Sequence, residues 1–558
     1  KLELTRDMSR NPVFDAMFIL QNVEKQDIDL REIKVRPANF AHHISLFDIT
    51  LIATEISGSI CCEMEFSTEV FLKATIERWA DHFIEFLHEA LSTPETSLAQ
   101  INILSDKEKQ KIVFEFNKTQ VEFAQKDIPF HRIFEAKAEE NPEHIAVIDN
   151  ETEISYRLLN ERANRLARTL QNRKGPKPTV AVLAKRSIDA IVGVLAVMKA
   201  GGVYIPIDAH YPKARIEYIL RDSGADILLL QRELKHLISN SPESEMSHIF
   251  LDDEGSFEES NCNLNLSPAP EEPVYIIYTS GTTGAPKGVI VTYQNFTHAA
   301  LAWRQIYELD RKPVRLLQIA SFSFDVFSGD LARTLTNGGT LIVCPDETRL
   351  EPAEIYKIIK SQRITVMEST PALIIPVMEY VYRNQFKLPD LDILILGSDM
   401  VKAQDFKTLT DRFGQSMRII NSYGVTEATI DSSFYETSMG GECTGDNVPI
   451  GSPLPNVHMY VLSQTDQIQP IGVAGELCIG GAGVAKGYHH KPDLTQMKFT
   501  ENPFVSGERL YRTGDRACWL PNGTIRLLGR MDYQVKINGY RIETEEIESV
   551  LLQTGLVR

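Results

Sequence analysis

Three features of the sequence predict an α/β protein of several domains. Short apolar runs alternate with helical periodicity from about residue 179 to 421, which is the pattern of largely parallel sheets. One run, Val274 to Tyr278, leads straight into the Gly- and Thr-rich stretch TSGTTGAPKG. Beyond about Asp446 the texture turns to short strands and many glycines, which suits a small β-rich subdomain. A chain of 558 residues is too long for a single core and predicts roughly three or four domains.

Composition narrows the function class. With 43% hydrophobic and 24% charged residues the chain is ordinary for a globular protein. A formal charge of -18 argues against a surface that binds nucleic-acid backbone. The longest apolar stretch, Ala190 to Met198, is less than half a bilayer span, so no membrane partner is expected. The seven cysteines are odd in number and form no CxxC pair, which points to a reducing, cytoplasmic setting without disulfides or zinc. The opening KLELTRD has neither Met nor an apolar targeting core and reads as the start of a piece of something longer.

In chain order, residues 1–100 predict strands at Ala16 to Leu20, Phe47 to Ile52 and Ser59 to Phe66, then a helix from about Glu69 to Leu91. That helix carries Ile76, Trp79, Phe83, Phe86, Leu87 and Ala90 on one face, expected to dock on a sheet. Residues 101–126 are polar with little periodicity and read as a linker. From Asp127 the pattern gives a helix, a hairpin-like pair (His144 to Ile148, Glu153 to Tyr156) and a helix through Leu159, Ala163, Leu166 and Leu170 stopped at Gly175. Strands follow at Thr179 to Ala184, Val203 to Ile207, Ile227 to Leu230, Arg315 to Ala320, Thr340 to Val343, Ile364 to Met367, Leu391 to Leu396 and Met417 to Asn421, with Ile188 to Ala200 a helix. Ligands are expected where such strands end.

The loop after Tyr278 has the chemistry of a phosphate cradle. Gly281, Gly284 and Gly288 free the backbone, Thr279, Ser280, Thr282 and Thr283 add hydroxyls, and Lys287 adds a positive charge. It is not the Walker pattern, because Ala285 and Pro286 separate Gly284 from the lysine. A short glycine pattern alone reads equally as a mobile surface loop. The decision comes from five further strings: MKAGGVYIPID (198–208), NSYGVTE (421–427), GELCIGGAGVAKGY (475–488), YRTGD (511–515) and GRMDYQVKINGYRIE (529–543). Together with the cradle they resemble, in order and over residues 127–558, the adenylation domain of a non-ribosomal peptide synthetase, in the adenylate-forming superfamily. The opening RDMSRNPV (Arg6 to Val13) resembles the last motif of a condensation domain. The resemblance implies a fold of two α/β subdomains and a β-rich subdomain (127–531), the start of a C-terminal subdomain (532–558) and, at 1–100, the α/β end of a condensation domain.

The resemblance also implies roles. An amino-acid carboxylate attacks the α-phosphorus of ATP, and the protein supplies positioning and charge. Thr279 to Lys287 hold phosphates; Glu427 ligates Mg²⁺; Tyr423 stacks on adenine within a wall that includes Asn421, Gly424 and Thr426; Asp515, with Arg530 nearby, accepts the ribose hydroxyls. Taken singly, Asp515 passes as a turn residue and Glu427 as a solvated helix start. Val425 stands where the family has Pro, a change expected to affect loop stiffness. Asp325 matches the anchor for a substrate α-ammonium, which favours an amino acid over a fatty or aryl acid. The pocket positions carry over as Asp325, Val326, Gly329, Glu368, Ile395, Gly397, Ser422, Ile430 and Asp431. Two buried acids beyond the anchor, Glu368 and Asp431, call for a cationic side chain, Gly329 leaves room for a moderate one, and the set resembles ornithine-activating domains. Ornithine and lysine differ by one methylene, worth about 1–3 kcal/mol.

Asp532 matches the family's hinge, and Lys536 lies on the face used for thioester formation. The family's second catalytic lysine is absent before Arg558, so weak adenylation is expected. The implied partners are a downstream carrier domain bearing phosphopantetheine, outside this chain, and the rest of the condensation domain. His42 and His43 fail the condensation spacing, since Phe47 stands where Asp is needed, so no condensation activity is expected. Two other readings remain open: an acyl- or aryl-CoA ligase of the same fold, and a non-catalytic scaffold displaying a domain interface.

Overall fold

The computed structural model describes residues 14–22, 44–56, 58–238, 246–281, 285–439, 445–537 and 539–553. The condensation-like opening, His42 and His43, and Thr282, Thr283 and Gly284 lie outside them. The chain forms two compact units, Lys1–Lys109 and Gln110–Arg558.

In the first unit Ile49–Ile56 is the central strand, parallel to Ala16–Gln21 and antiparallel to Ser59–Phe66. The helix that follows runs Lys73–Ser92. Its predicted apolar face is only partly covered: Ile76 is buried, Phe83 and Phe86 are half-buried, and Trp79 and Leu87 are exposed. His82 is buried on that helix against Glu108, with Nε2 and Oε2 2.5 Å apart.

The stretch expected to be a linker is integrated into the second unit from Ile112 onward. Ile112 and Val113 are buried, Phe116 packs on Trp519, and the Asn117 amide donates to the Met459 carbonyl at 3.0 Å while its oxygen accepts from the Met459 amide at 2.7 Å. This segment is held by side chains that complete backbone hydrogen bonds, so it lacks the apolar periodicity that reveals helices and strands.

The second unit contains seven-, nine- and five-stranded sheets. The seven-stranded sheet runs from Gly487–Tyr488 through Lys287–Thr292, Pro273–Thr279, Val203–Asp208, Thr179–Ala184 and Ile227–Leu230 to His248–Phe250. The nine-stranded sheet has a parallel centre, Arg418–Tyr423, Ile393–Leu396, Val366–Ser369, Arg315–Gln318 and Thr340–Val343. The helix Ile188–Lys199 touches strands of both sheets, and its side chains are buried all round, which is why its sequence is apolar on every face. The five-stranded sheet is built on Arg509–Trp519 and Gly475–Gly481. These layers bring the carboxyl ends of Val366–Ser369, Ile393–Leu396 and Arg418–Tyr423 side by side, opposite the end of Pro273–Thr279.

Candidate active site

The cradle is the turn of a β-hairpin. Pro273–Thr279 and Lys287–Thr292 pair antiparallel with Thr279 opposite Lys287, so the loop between them is anchored at both ends by sheet. Gly281 is required there: a Cβ would lie 2.2 Å from the Ala285 carbonyl oxygen. Gly288 has a different role from the one its sequence suggests. It sits inside the second strand, where a Cβ would lie 2.7 Å from Ile276 Cγ2 and 3.1 Å from Tyr278 Cζ, so it serves packing and not the cradle. The Thr279 hydroxyl is buried without a hydrogen-bond partner, an orphan donor of the kind a phosphate oxygen satisfies. Ser280 Oγ donates to the Arg541 carbonyl at 2.7 Å.

Glu427 faces this loop from the short helical turn Thr426–Ala428, fully buried. Its Oε1 accepts from Tyr488 Oη at 2.9 Å and lies 3.3 Å from Lys287 Nζ, and its Oε2 pairs with Arg541 Nη1 at 2.8 Å. Burial pushes its pKa up, but Arg541 and then Lys287 outweigh that and hold the carboxyl below the usual range. Burial lowers the Lys287 pKa against the pull of Glu427. An ionised carboxylate beside a lysine, an orphan hydroxyl and a glycine cradle fit a magnesium-bound polyphosphate, since Mg²⁺ takes one or two carboxylates and completes its shell with phosphates and water.

A cavity of about 360 Å³ is lined among others by Asn421, Tyr423, Asp515, Arg530 and Lys536, and it shares Gly424, Arg530 and Lys536 with the cavity that reaches Thr279 and Ser280. Asp515 accepts from Tyr423 Oη on one oxygen and from Arg530 Nη1 at 2.9 Å on the other. Arg530 also donates to the Thr513 carbonyl at 2.9 Å and to Asp532 at 2.8 Å, so Asp515 and Asp532 share one guanidinium. The Asn421 amide is taken up by the Pro449 carbonyl at 2.8 Å. Gly424 admits no side chain, because a Cβ would fall 1.7 Å from the Ile430 carbonyl oxygen.

The pocket residues assemble beside this cavity. Glu368 and Ile395 are register partners on neighbouring strands, Gly397 follows one strand end, and Ser422 lies near the end of the next. Asp325, Val326 and Gly329 open the helix Asp325–Leu335. Ile430 and Asp431 come from a tight return in which Thr429 and Ile430 have φ of 61° and 72°. A left-handed β-branched residue is costly and marks a backbone held in place by its surroundings. A cavity of about 370 Å³ runs from Thr279 and Ser280 past Asp325 to Asp431. Burial raises the Asp325 pKa to about 6, with a hydrogen bond from Thr426 opposing it.

The acids of the pocket are not unpartnered, contrary to the expectation. Arg333, fully buried on the same helix as Asp325, places Nη2 2.6 Å from Asp431 Oδ2 and Nη1 3.4 Å from Asp330 Oδ1, and pairs with Glu368. Asp431 also accepts from Trp303 Nε1 at 2.8 Å and Ser422 Oγ at 2.7 Å. Glu368 is served less well, for its Oε2 receives no aligned hydrogen bond. Burial raises its pKa well above the ordinary value and that of Asp330 to about 7, with Arg333 opposing both shifts. Among the described residues, the three acids Asp330, Glu368 and Asp431 thus share Arg333 as their one paired cation, with Arg186 acting more weakly on Asp330.

Residues 134–489 match the family described as AMP-binding enzyme, and residues 1–113 match the condensation domain. The chain belongs to the AMP-binding enzyme family. Among curated relatives it is 50% identical over 554 residues to gramicidin S synthase 2 of Brevibacillus brevis, covering 99% of this chain and 12% of that protein. It is 46% identical over 553 residues to tyrocidine synthase 3 of Brevibacillus parabrevis, covering 99% of this chain and 8% of that protein. The chain thus spans about an eighth or less of these relatives. Among solved structures, a four-domain non-ribosomal peptide synthetase bound to AMP and glycine superposes with a TM-score of 0.80 at 25% identity, over 98% of this chain and 41% of that one. An artificially fused adenylation and carrier di-domain from Klebsiella oxytoca gives 0.67 at 27% identity, over 76% and 83%. The fold is that of synthetase adenylation domains with part of a condensation domain before it.

Within this AMP-binding fold the hairpin Val535–Ile537 and Tyr540–Ile542 lies over the site. Lys536 Nζ stands 5.9 Å from the centroid of the Tyr423 ring, the ring expected to stack on adenine. Arg541 reaches Glu427 and Ser280 together. Sequence reasoning missed Arg541, Tyr488, Trp303 and Arg333. The last had a signal, since it falls four residues after Gly329 and eight after Asp325, a spacing that shares a face wherever the segment is helical, as it is at Asp325–Leu335.

Proposed function

We propose that the chain activates an amino acid by ATP-dependent adenylation for non-ribosomal peptide synthesis, and that its substrate is L-ornithine. The observation that carries the activity is Asp325: a half-buried carboxylate at the head of a helix, facing the cavity that runs from Thr279 and Ser280 to Asp431, where an α-ammonium would leave its carboxylate directed toward the cradle. Acyl- and aryl-acid ligases have no use for such an anchor. ATP supplies the phosphoryl group that the carboxylate attacks, with release of pyrophosphate. In this reading Lys287 and the cradle hydroxyls bind and orient the phosphates, Glu427 holds Mg²⁺, Tyr423 and Asp515 place the nucleoside, and Asp325 orients the nucleophile. Such positioning supplies a large part of the rate enhancement in transfers of this kind. The product aminoacyl adenylate passes to the phosphopantetheine thiol of a carrier domain, with Asp532 as hinge and Lys536 on the thioester-forming face.

The charge balance of the pocket supports ornithine. Asp330, Glu368 and Asp431 face a single Arg333. A side-chain ammonium beside Glu368 reduces that imbalance, while Asp325 is left for the α-ammonium. A cytoplasmic setting is supported by the free thiols of Cys61, Cys62, Cys262, Cys344, Cys478 and Cys518. Among the described residues no helix is long and apolar enough to cross a membrane.

The test is pyrophosphate exchange into ATP, together with calorimetric binding, for ornithine, lysine, arginine, leucine and glutamate. Ornithine is expected to be strongest. A preference for leucine or glutamate would overturn the pocket assignment and leave the ATP chemistry intact. Failure to bind ATP at all would overturn the enzyme reading in favour of a scaffold.

A further inference from the structure

Behind the acids that line the candidate pocket stands a guanidinium. Arg333 stands one helical turn after Gly329, so both face the same side. A Cβ built on Gly329 would lie 3.2 Å from Arg333 Nη1 and 3.4 Å from both Ile430 Cδ1 and Trp303 Cη2. The absence of a side chain at Gly329 therefore lets the guanidinium, Ile430 and Trp303 close in on the helix backbone, with the arginine head group directly behind Asp431, which lines the cavity. That head group is held at both terminal nitrogens and on one face, while its Nε has no hydrogen-bond partner. Asp431 and Asp330 bind its nitrogens, Glu368 pairs with it, and the Trp303 ring lies under it with the guanidinium carbon 4.0 Å from the ring centroid. Trp303 in turn is tied to Asp431 through its indole N–H. An aromatic face, three carboxylates and no measurable exposure leave this cation no alternative position.

We infer that Arg333 is a specificity-determining residue: its guanidinium sets the depth of the pocket at a side-chain amine on three carbons and repels a cation carried deeper. Glu368, whose Oε2 has the Arg333 ion pair but no aligned hydrogen bond, is the acid left to receive the substrate amine. A lysine side chain would bring its ammonium one methylene closer to a like charge, and an arginine side chain would compete for the place Arg333 already fills. The inference rests on the cationic-substrate reading above.

Two series test it on the 558-residue chain by calorimetry, with a non-hydrolysable ATP analogue present. In the first, the wild type is titrated with 2,4-diaminobutyrate, ornithine, lysine, arginine and leucine. A fall in affinity of about tenfold or more from ornithine to lysine is expected, since one methylene discriminates by about 10–200-fold in a fitted pocket. Equal affinity for the two overturns the depth argument while leaving the cationic reading in place; leucine above ornithine overturns the cationic reading itself. In the second series Arg333→Lys keeps the charge on a shorter side chain and Arg333→Ala vacates the site. The ornithine-to-lysine ratio is expected to fall to about threefold or less, and the Ala variant to favour arginine, whose guanidinium takes the vacated place. An unchanged ratio in either folded variant overturns the assignment. A purely structural arginine would lower all affinities together and leave the ratios alone. Should neither variant fold, the wild-type length series decides alone.

Discussion

Glu427 and Glu368 are both buried carboxylates at strand or turn ends, and each faces a buried arginine, yet their protonation is driven in opposite directions. Glu427 is met at close range by Arg541, Lys287 and the Tyr488 hydroxyl, with Glu543 a more distant second acid 3.9 Å from Arg541, and is held ionised. Glu368 shares one Arg333 with Asp431 and Asp330, and is pushed toward its neutral form. Burial penalises both, so the number of cations per acid decides the sign. The difference bears on what each site lacks. At close range around Glu427 two cations meet one acid, a local surplus made by Lys287, expected to bind phosphate, and by Arg541, which Glu543 reaches only at 3.9 Å. This suits a site that exchanges cations for a metal–nucleotide complex. Around Glu368 positive charge is in deficit, as suits a site that waits for a cationic ligand.

The strongest way to break the comparison is to neutralise each acid in turn. Glu427→Gln leaves buried Lys287 without its paired acid and Arg541 with only the more distant Glu543, and is expected to cost about 3–5 kcal/mol in urea unfolding and to lower pyrophosphate exchange by about 10²–10³-fold at saturating magnesium. Glu368→Gln removes an acid that burial already disfavours, so its unfolding free energy should stay within about 1 kcal/mol of wild type. Comparable stability losses in the two variants would show that the charge count does not separate the sites.

Ligand binding should separate them in the reverse sense. Glu368→Gln is expected to weaken ornithine by about 2–3 kcal/mol, or 30- to 150-fold, because a charged acceptor is lost, while ATP affinity is unmoved. Asp431→Asn should lose less ornithine affinity, since both Asp431 oxygens are already taken by Arg333, Trp303 and Ser422. Calorimetry on both variants gives the ranking, and Asp431 emerging as the larger loss would move the substrate contact away from Glu368.

How legible each site was follows from the same geometry. The cradle, Glu427, Tyr423 and Asp515 sit on contiguous strings with Gly and Thr at fixed spacings, so a reading along the chain finds them. The parallel sheets were equally open to sequence: Thr179–Ala184, Ile227–Leu230 and Thr340–Val343 have the bounds that their apolar runs predict. The pocket acids were found, but their counter-ion was not. Arg333 comes from mid-helix, Asp431 from a left-handed return and Trp303 from a third element, and no local pattern joins residues brought together by tertiary structure. Gly288 misled for a related reason. A glycine beside a Gly-rich loop looks like part of it, whereas only the partner strand reveals that Tyr278 leaves no room for a side chain.

A pH series separates the two acid sites by sign. Asp325 and Glu368 have raised pKa values, so their neutral forms contribute stability that is full below the unfolded carboxylate pKa and is lost as pH rises, for Asp325 through about 6. The depressed Glu427 contributes stability present above the unfolded value of about 4.5 and lost as pH falls below it. Binding of the amino acid needs Asp325 ionised, so its affinity should drop by about tenfold from pH 7 to pH 5. ATP affinity should change much less over that range, because Glu427 stays ionised. Parallel loss of both ligands would point to a shared change such as partial unfolding.

The smallest expected effect concerns the surplus itself. Arg541 holds Glu427 at 2.8 Å through its side chain and Ser280 at 2.7 Å through its backbone, so the hairpin occupies two groups that a magnesium–nucleotide complex would use. If this arginine competes with the metal, Arg541→Ala should raise Mg–ATP affinity by about 3- to 10-fold, the worth of one charge-assisted hydrogen bond less its replacement by water. The Ser280 contact survives the substitution, which keeps the gain modest. Ornithine affinity should not move, because Arg333 and Glu368 belong to the other cluster. If Arg541 instead joins the phosphate-binding set when the nucleotide enters, the same variant binds ATP more weakly, and the surplus of charge around Glu427 is then a standing part of the nucleotide site and not a cation on loan from the hairpin.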